Sequence, residues 1–385
     1  MFSQTVKVPC SIIRGGTSKG VFFGRDVLPT DPKERDAFIL RAFGSPDLRQ
    51  IDGLGGANSL TSKVAIISKS DRGPGIVDYT FGQVAVDKSV IDWRGNCGNL
   101  STAVGLYALL EGLAKIESPS TTVKVYNTNT DKMIYITLPV EGGQPVEAGD
   151  FYIPGVPFPG SKILVEFERP EGSVCKKLLP TGRPTDQIEV PGKGVFTYSF
   201  VDAANPVIFL VASELGLVGT ELPEAVEKMP EKLALIEELR GRISQETGIV
   251  GDWASAASVS PAIPKIGFVS EARNYKTPDG KEILAGDVDF VARLASMQKM
   301  HRAYMVTGAI CTATAARIEG TVVARLLRPE RRDTGEIRIG HPYGSMEVTI
   351  DVDHSNGFEV RKAGVYRTAR KIMGGEVYVP CGGGI

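Results

Sequence analysis

Cys97 lies in the run Asp92-Trp93-Arg94-Gly95-Asn96-Cys97-Gly98-Asn99-Leu100-Ser101-Thr102-Ala103, flanked by Gly/Asn pairs and followed by small and apolar residues to Leu113. That order predicts a helix beginning just after the cysteine. Unpaired amides and the positive end of the helix dipole stabilise a thiolate at such a position. The same amides hold anionic groups, and Gly98 lets a ligand approach the backbone closely. Lys63 opens the strand-like run Lys63 to Ser68, after the Gly-rich stretch Gly53-Leu54-Gly55-Gly56-Ala57-Asn58. A lysine there is ordinarily an edge residue reaching water. Partly desolvated, it loses some preference for charge and becomes a candidate base.

Two glycine-rich segments invite a nucleotide reading and fail it. Arg14-Gly15-Gly16-Thr17-Ser18-Lys19-Gly20 is followed by strand-like Val21-Phe22-Phe23, not by the helix of a phosphate loop. No helix follows Gly53 to Asn58 either. Both read as tight loops, the first offering amides and the Thr17 and Ser18 hydroxyls to a carboxylate. His301 follows Ser296-Met297-Gln298-Lys299-Met300, read as a helix end. His341 lies in a turn after a strand. With His354 they are too dispersed for a metal site, and none is expected.

The elements that must position these residues are short. Strand-like runs fall at Lys7 to Ile13, Gly20 to Phe23, Lys63 to Ser68, Ile76 to Phe81, Thr122 to Tyr126 and Ile163 to Phe167. Others fall at Val195 to Phe200, Pro206 to Val211, Lys265 to Val269, Ile337 to Ile339 and Met346 to Val352. Helices are expected over Pro32 to Phe43 with Asp31 as cap, after Cys97, and over Glu224 to Ser244, Asp287 to Lys299 and Ala309 to Arg317. Many short strands around few helices exclude a regularly alternating doubly wound sheet. Gly308-Ala309-Ile310-Cys311-Thr312-Ala313 echoes the Cys97 segment, so each half carries a small-residue helix whose start binds anions.

A chain of 385 residues, 42% hydrophobic and 23% charged, suffices for two domains. The Pro/Gly-rich stretch Pro180 to Gly194 marks the boundary. A formal net charge of -1 argues against a nucleic-acid partner. Arg328, Arg331 and Arg332 alternate with Glu330, Asp333 and Glu336, which reads as a solvated turn. Cys10, Cys97, Cys175, Cys311 and Cys381 are scattered without a C-x-x-C pair, which suits a reducing compartment. The start lacks the pattern of a secretory leader, and no apolar run reaches membrane-span length, so a soluble cytoplasmic protein is expected.

Taken together, Arg14 to Gly20, Ser62-Lys63-Val64, Gly95-Asn96-Cys97-Gly98-Asn99, Asn205-Pro206, His301-Arg302-Ala303 and Gly340-His341-Pro342 resemble the PrpF-like proteins over essentially the whole chain. These are isomerases of 2-methylaconitate and 3-methylitaconate, with relatives acting on aconitate and oxalomesaconate. The resemblance implies an α+β, diaminopimelate-epimerase-like fold: two similar domains, each a curled, mostly antiparallel sheet around a central helix. The domains are expected at 1–185, completed by 366–385, and at 186–365, with the active site in the cleft between them. It implies a cofactor-independent proton shift in a small unsaturated di- or tricarboxylate, with Lys63 and Cys97 as the acid/base pair. Ser18 and His301 match residues around the substrate; Arg14, Thr17, Asn96, Gly98, Asn99, Gly308 and His341 complete the expected binding set. No membrane partner is expected, and a homo-oligomer is compatible with the reading. Tyr343 departs from the family, where a small hydroxyl residue is expected, and bears on substrate identity. The competing readings are an amino-acid epimerase or racemase using two thiols, disfavoured by the lack of a Cys-Gly-Thr-Gly motif around Cys311, and a non-catalytic polycarboxylate-binding protein.

Overall fold

The computed structural model describes residues 5–93, 95–355 and 357–380. Arg94, Cys381 and the first four residues, on which the leader reading rests, lie outside the described residues. Chain order begins β1 (Thr5–Gly15), β2 (Ser18–Gly24), α1 (Pro32–Phe43), β3 (Lys63–Lys69), β4 (Ile76–Val84) and β5 (Ile91–Asp92). It continues with α2 (Gly98–Leu110), β6 (Ser120–Asn127), β7 (Lys132–Glu141), β8 (Gln144–Pro145) and β9 (Ile163–Glu168). Next come β10 (Asp186–Val190), β11 (Gly194–Ala203), β12 (Asn205–Val211), α3 (Pro223–Glu227), α4 (Pro230–Glu246), α5 (Ala256–Val259) and β13 (Lys265–Glu271). Then follow β14 (Tyr275–Lys276), β15 (Glu282–Ile283), β16 (Phe290–Ser296), β17 (Lys299–Met300) and α6 (Val306–Arg317). The chain closes with β18 (Glu336–His341), β19 (Gly344–Asp353), β20 (Glu359–Arg367) and β21 (Ala369–Pro380). The fold is α+β. No helix among the described residues is long and apolar enough to cross a membrane.

The chain forms two compact units: unit 1 runs to Glu166 and resumes at Tyr366, and unit 2 is Phe167–Val365. The division thus falls earlier than the expected 185/186. The reason is the Asp202 carboxylate on β11, which accepts hydrogen bonds from Ser173 Oγ (2.5 Å) and the amides of Val174 (2.8 Å) and Cys175 (2.6 Å). Thr185 Oγ1 also donates to the Gly320 carbonyl. The Pro/Gly-rich stretch is therefore tied into unit 2.

In unit 1, β1 pairs antiparallel with β2 and with β21; β2 runs parallel to β3, β3 antiparallel to β4, β4 parallel to β6, and β6 antiparallel to β7. Unit 2 repeats the order. β11 pairs antiparallel with β12; β12 runs parallel to β13, β13 antiparallel to β16, β16 parallel to β18, and β18 antiparallel to β19. The helix enters at the same point in both, α2 between β5 and β6 and α6 between β17 and β18. The weak sequence echo is thus a topological repeat.

Each such helix is central to its own unit. α2 is buried from Gly98 to Leu109 and α6 from Val306 to Ala316, as an all-round apolar and small-residue composition requires. Close packing accounts for glycines inside them. A Cβ on Gly105 would lie 2.6 Å from Ile136 Cγ2, and one on Gly308 would lie 2.4 Å from Leu294 Cδ1.

Two helical expectations are overturned. Asp287 to Lys299 is not a helix but chiefly strand β16, a tight turn and strand β17. Met297 (φ 53°) and Gln298 (φ 58°) form the turn, and Ala295 pairs with Met300. Its apolar residues are buried on both sheet faces, a pattern periodicity alone does not separate from a buried helix. Glu224 to Ser244 is two helices, because Pro230 cannot continue α3 and instead starts α4. The arginine cluster is also not simply solvated: Arg331 Nε lies 2.9 Å and Arg338 Nη2 3.0 Å from the buried Asp289 carboxylate.

Candidate functional site

Lys63 is buried, 7% exposed, not an edge residue: β3 has β2 on one side and β4 on the other. Its direct cross-strand partner is Gln83, whose Oε1 accepts from Lys63 Nζ at 2.6 Å. The Phe81 ring lies 5.1 Å from Nζ. Gln83 is a residue that the sequence reading missed. Strand alternation places Lys63 opposite Val64 and Ile66, which pack against the α1 side, so Lys63 shares the α2 side with Tyr79, Phe81 and Gln83.

Cys97 is the N-cap of α2. Its φ of -126° and ψ of 93° are extended, and its Sγ accepts from the Leu100 amide at 3.5 Å. Ser18, the first residue of β2, brings its Oγ to 3.9 Å from that sulfur. Below them Tyr79 is fully buried; burial first, and the neighbouring Cys97 second, push its phenol well above the usual range.

The turn between β1 and β2 is seated on the start of α2. Asn99 Nδ2 donates to Thr17 Oγ1 at 3.1 Å, and Asn99 Oδ1 accepts from the Thr17 amide (3.4 Å) and from Arg367 Nε (3.3 Å). Glycines permit this contact. A Cβ on Gly16, at φ +51°, would lie 2.1 Å from Asn99 Oδ1. Arg14 Nη1 donates to the carbonyls of Gly16 (3.1 Å) and Thr368 (2.9 Å), so it braces the turn. Burial, with Arg370 nearby, lowers its pKa. Arg367 is buried deeper still, and desolvation lowers its pKa to about 10.

Asn96 turns toward the sheet, its Oδ1 accepting from Asn127 Nδ2 at 2.8 Å. Asn129 bridges from there, donating to the carbonyls of Phe81 (2.9 Å) and Trp93 (2.6 Å). Asn127-Thr128-Asn129 thus anchors the approach to Cys97, a role the sequence signals only as a cluster of turn residues.

Unit 2 holds the other expected residues. His301 follows the β16–β17 hairpin, not a helix end, and its Nδ1 accepts from the Ala303 amide at 3.2 Å. His341, 1% exposed, ends β18; its Nδ1 accepts from the Tyr343 amide at 3.3 Å and its ring stacks 6.2 Å from that of Tyr304. Tyr275 Oη lies within hydrogen-bond distance of the carbonyls of His341 (2.9 Å) and Gly344 (2.5 Å), its one O–H shared across the turn that presents Tyr343. Gly308 lies in the first turn of α6. Cys311 sits in mid-helix, fully buried, its thiol donating to the Val201 carbonyl at 3.2 Å, and burial raises its pKa well above the ordinary thiol value. Among the described residues no group of three or more His, Cys, Asp or Glu is placed to hold a metal.

The PrpF protein family matches residues 5–380. The chain belongs to the PrpF family. Among its PrpF-like relatives, the 3-methylitaconate isomerase of Eubacterium barkeri is 43% identical over 381 residues, 98% of each chain. The 2-methyl-aconitate isomerase of Shewanella oneidensis is 40% identical over 397 residues, 99% of this chain and 98% of that one. A crystal structure of methylitaconate-delta-isomerase superposes with a TM-score of 0.85 at 43% identity, covering 98% of this chain and 97% of that one. A hydroxyproline epimerase from Agrobacterium vitis shares the fold alone, with 15% identity, a TM-score of 0.54 and coverage of 97% and 93%. This PrpF-family chain is an isomerase.

Proposed function

We propose that Lys63 and Cys97 move a proton within a small unsaturated di- or tricarboxylate of the methylaconitate, aconitate or methylitaconate type, with no cofactor. The observation that carries this reading is the buried Lys63 amine on the α2 side of the sheet, in the unit where a thiol caps α2 beside Ser18. One group removes an allylic proton, and the electron pair spreads through the double bond into a conjugated carboxylate. The other returns a proton at the far end of the allylic system, shifting the double bond, or at the original carbon after rotation, giving cis–trans isomerisation.

The barrier is the developing charge, so preorganised donors matter most. The Gly98 and Asn99 amides at the start of α2 and the Thr17 and Ser18 hydroxyls are of the type that holds a carboxylate as it gains charge. Asn96, Asn99 and Arg14 act chiefly by holding that frame. His301, His341 and the first-turn amides of α6 at Gly308 enter the proposal as further substrate contacts. A two-thiol racemase mechanism is disfavoured because Cys311 is enclosed in mid-helix.

Proton NMR in deuterated water tests the proposal on a panel of aconitate, 2-methylaconitate and methylitaconate. One acid should isomerise with deuterium entering the allylic positions. Binding without exchange on any of them would leave a polycarboxylate-binding protein instead.

A further inference from the structure

We propose that Gln83 is a positioning residue that aims the Lys63 amine in both of its protonation states; the inference rests on the role given to Lys63 above. Gln83 Oε1 accepts from Lys63 Nζ at 2.6 Å, while Gln83 Nε2 donates to the Ser62 carbonyl at 2.8 Å. The second bond fixes the amide orientation, because a flipped amide would set NH2 against the amine and oxygen against a carbonyl. Ser62 is itself held: its Oγ accepts from the buried Gln50 Nε2 at 2.8 Å, and Gln50 Nε2 also reaches Ser45 Oγ at 2.8 Å. The chain of contacts from Ser45 to Lys63 is built from neutral groups.

Neutrality is the point. A lysine amine donates N–H whether charged or not, so an amide oxygen holds it throughout the catalytic cycle. With one N–H directed to Gln83, the lone pair of the neutral amine points away from the Gln83 oxygen. A carboxylate in the same place would also hold the amine, but would favour the ammonium form. The groups sharing the α2 side of the sheet include Tyr79 and Phe81 on β4, Ser18 and Phe22 on β2, the Cys97 thiol at the start of α2 and Tyr107 within α2. Among the described residues no carboxylate lies within ion-pair distance of Lys63 Nζ. Gln83 is therefore the contact through which the charge preference of Lys63 can be reset by one isosteric change.

The test compares Gln83→Glu and Gln83→Leu with the wild-type chain on whichever acid it isomerises. In Gln83→Glu the limb of the pH–rate profile that titrates Lys63 moves to higher pH by about 1 to 3 pH units, the effect of an adjacent opposite charge. The direction is the same whether Lys63 acts as base or as acid. In Gln83→Leu, kcat falls at least tenfold while KM changes less than threefold, with no upward move of that limb. A direct titration of the Lys63 13Cε resonance, assigned with Lys63→Met, reads the same shift in Gln83→Glu without turnover. Superimposable profiles and 13Cε titrations for wild type and Gln83→Glu, or full kcat in Gln83→Leu, overturn the positioning role. A wild-type chain inactive on every acid, with the 13Cε shift intact, would instead count against the function proposed above.

Discussion

Cys97 caps a helix as well as presenting a thiol, and Lys63 completes a strand register as well as presenting an amine. Residues with such double duty show their chemistry only when the fold is kept constant. If the two act on one proton path, Lys63→Ala and Cys97→Ala should each cost about 10²–10⁴-fold in kcat/KM. The double variant should lose little more than the worse single one, as groups acting as a unit do; a multiplicative loss in steady-state kinetics would separate them. Tyr343 belongs at this scale too. Its amide is tied to His341 and its turn is fixed by Tyr275, so its ring adds bulk without holding the turn. Tyr343→Ser should change the preference between aconitate and its methyl-substituted relatives while keeping turnover on at least one, measured as relative kcat/KM. Lys63, Cys97 and Ser18 are legible in the sequence because their residue types and neighbours are distinctive. Gln83 is not, since only the pairing of β3 with β4 puts it opposite Lys63.

Elements show where local signals suffice. α1 is read correctly because every part of its signal is local: Asp31 accepts from the amides of Lys33 (3.0 Å) and Glu34 (3.0 Å), and Gly44 closes it at φ 70°. β16 is misread because its identity is not local. It needs β13 and β18 beside it, and Asp289 just before it, to be a strand. Asp289 is the test of that account. Burial raises its carboxyl pKa, but hydrogen bonds from Arg331 and Arg338 outweigh this and leave it below the usual value. A lowered folded-state value means a contribution to stability that is present above the unfolded pKa of about 4 and lost as pH falls through the folded one. Asp289→Asn, which leaves two partly exposed arginines without their carboxylate, should cost about 1–3 kcal/mol in urea unfolding at neutral pH. The cost should shrink in acid, and an equal cost at every pH would contradict this reading. Gly16→Ala should cost about 1–3 kcal/mol, because the new Cβ meets Asn99 at a left-handed φ; it should also slow turnover by displacing the seat of the β1–β2 turn.

At the scale of the molecule, one topology is used twice, and only one copy carries the thiol at its helix start. Lys63 opens β3 and Lys265 opens β13, both buried; Lys265 Nζ donates to the Ala262 carbonyl (3.1 Å) and Ser296 Oγ (3.4 Å), and Lys63 Nζ donates to the Gln83 side chain (2.6 Å). The repeat is faint in sequence because packing demands only small residues in the helices and apolar ones in the strands. Residues after 365 complete the first unit: β21 pairs with β1 from Thr5 to Gly15. The central claim is that Cys97 and Lys63 transfer the proton, and Cys97→Ser tests it most directly by keeping the shape and removing the acidity of the thiol. The measurement is exchange of the substrate's allylic proton with deuterated water, followed by NMR alongside isomerisation. The account predicts a folded, substrate-binding variant in which exchange and isomerisation fall together by about 10²-fold or more. Exchange and isomerisation near the wild-type rate would contradict it and leave Cys97 as a helix cap.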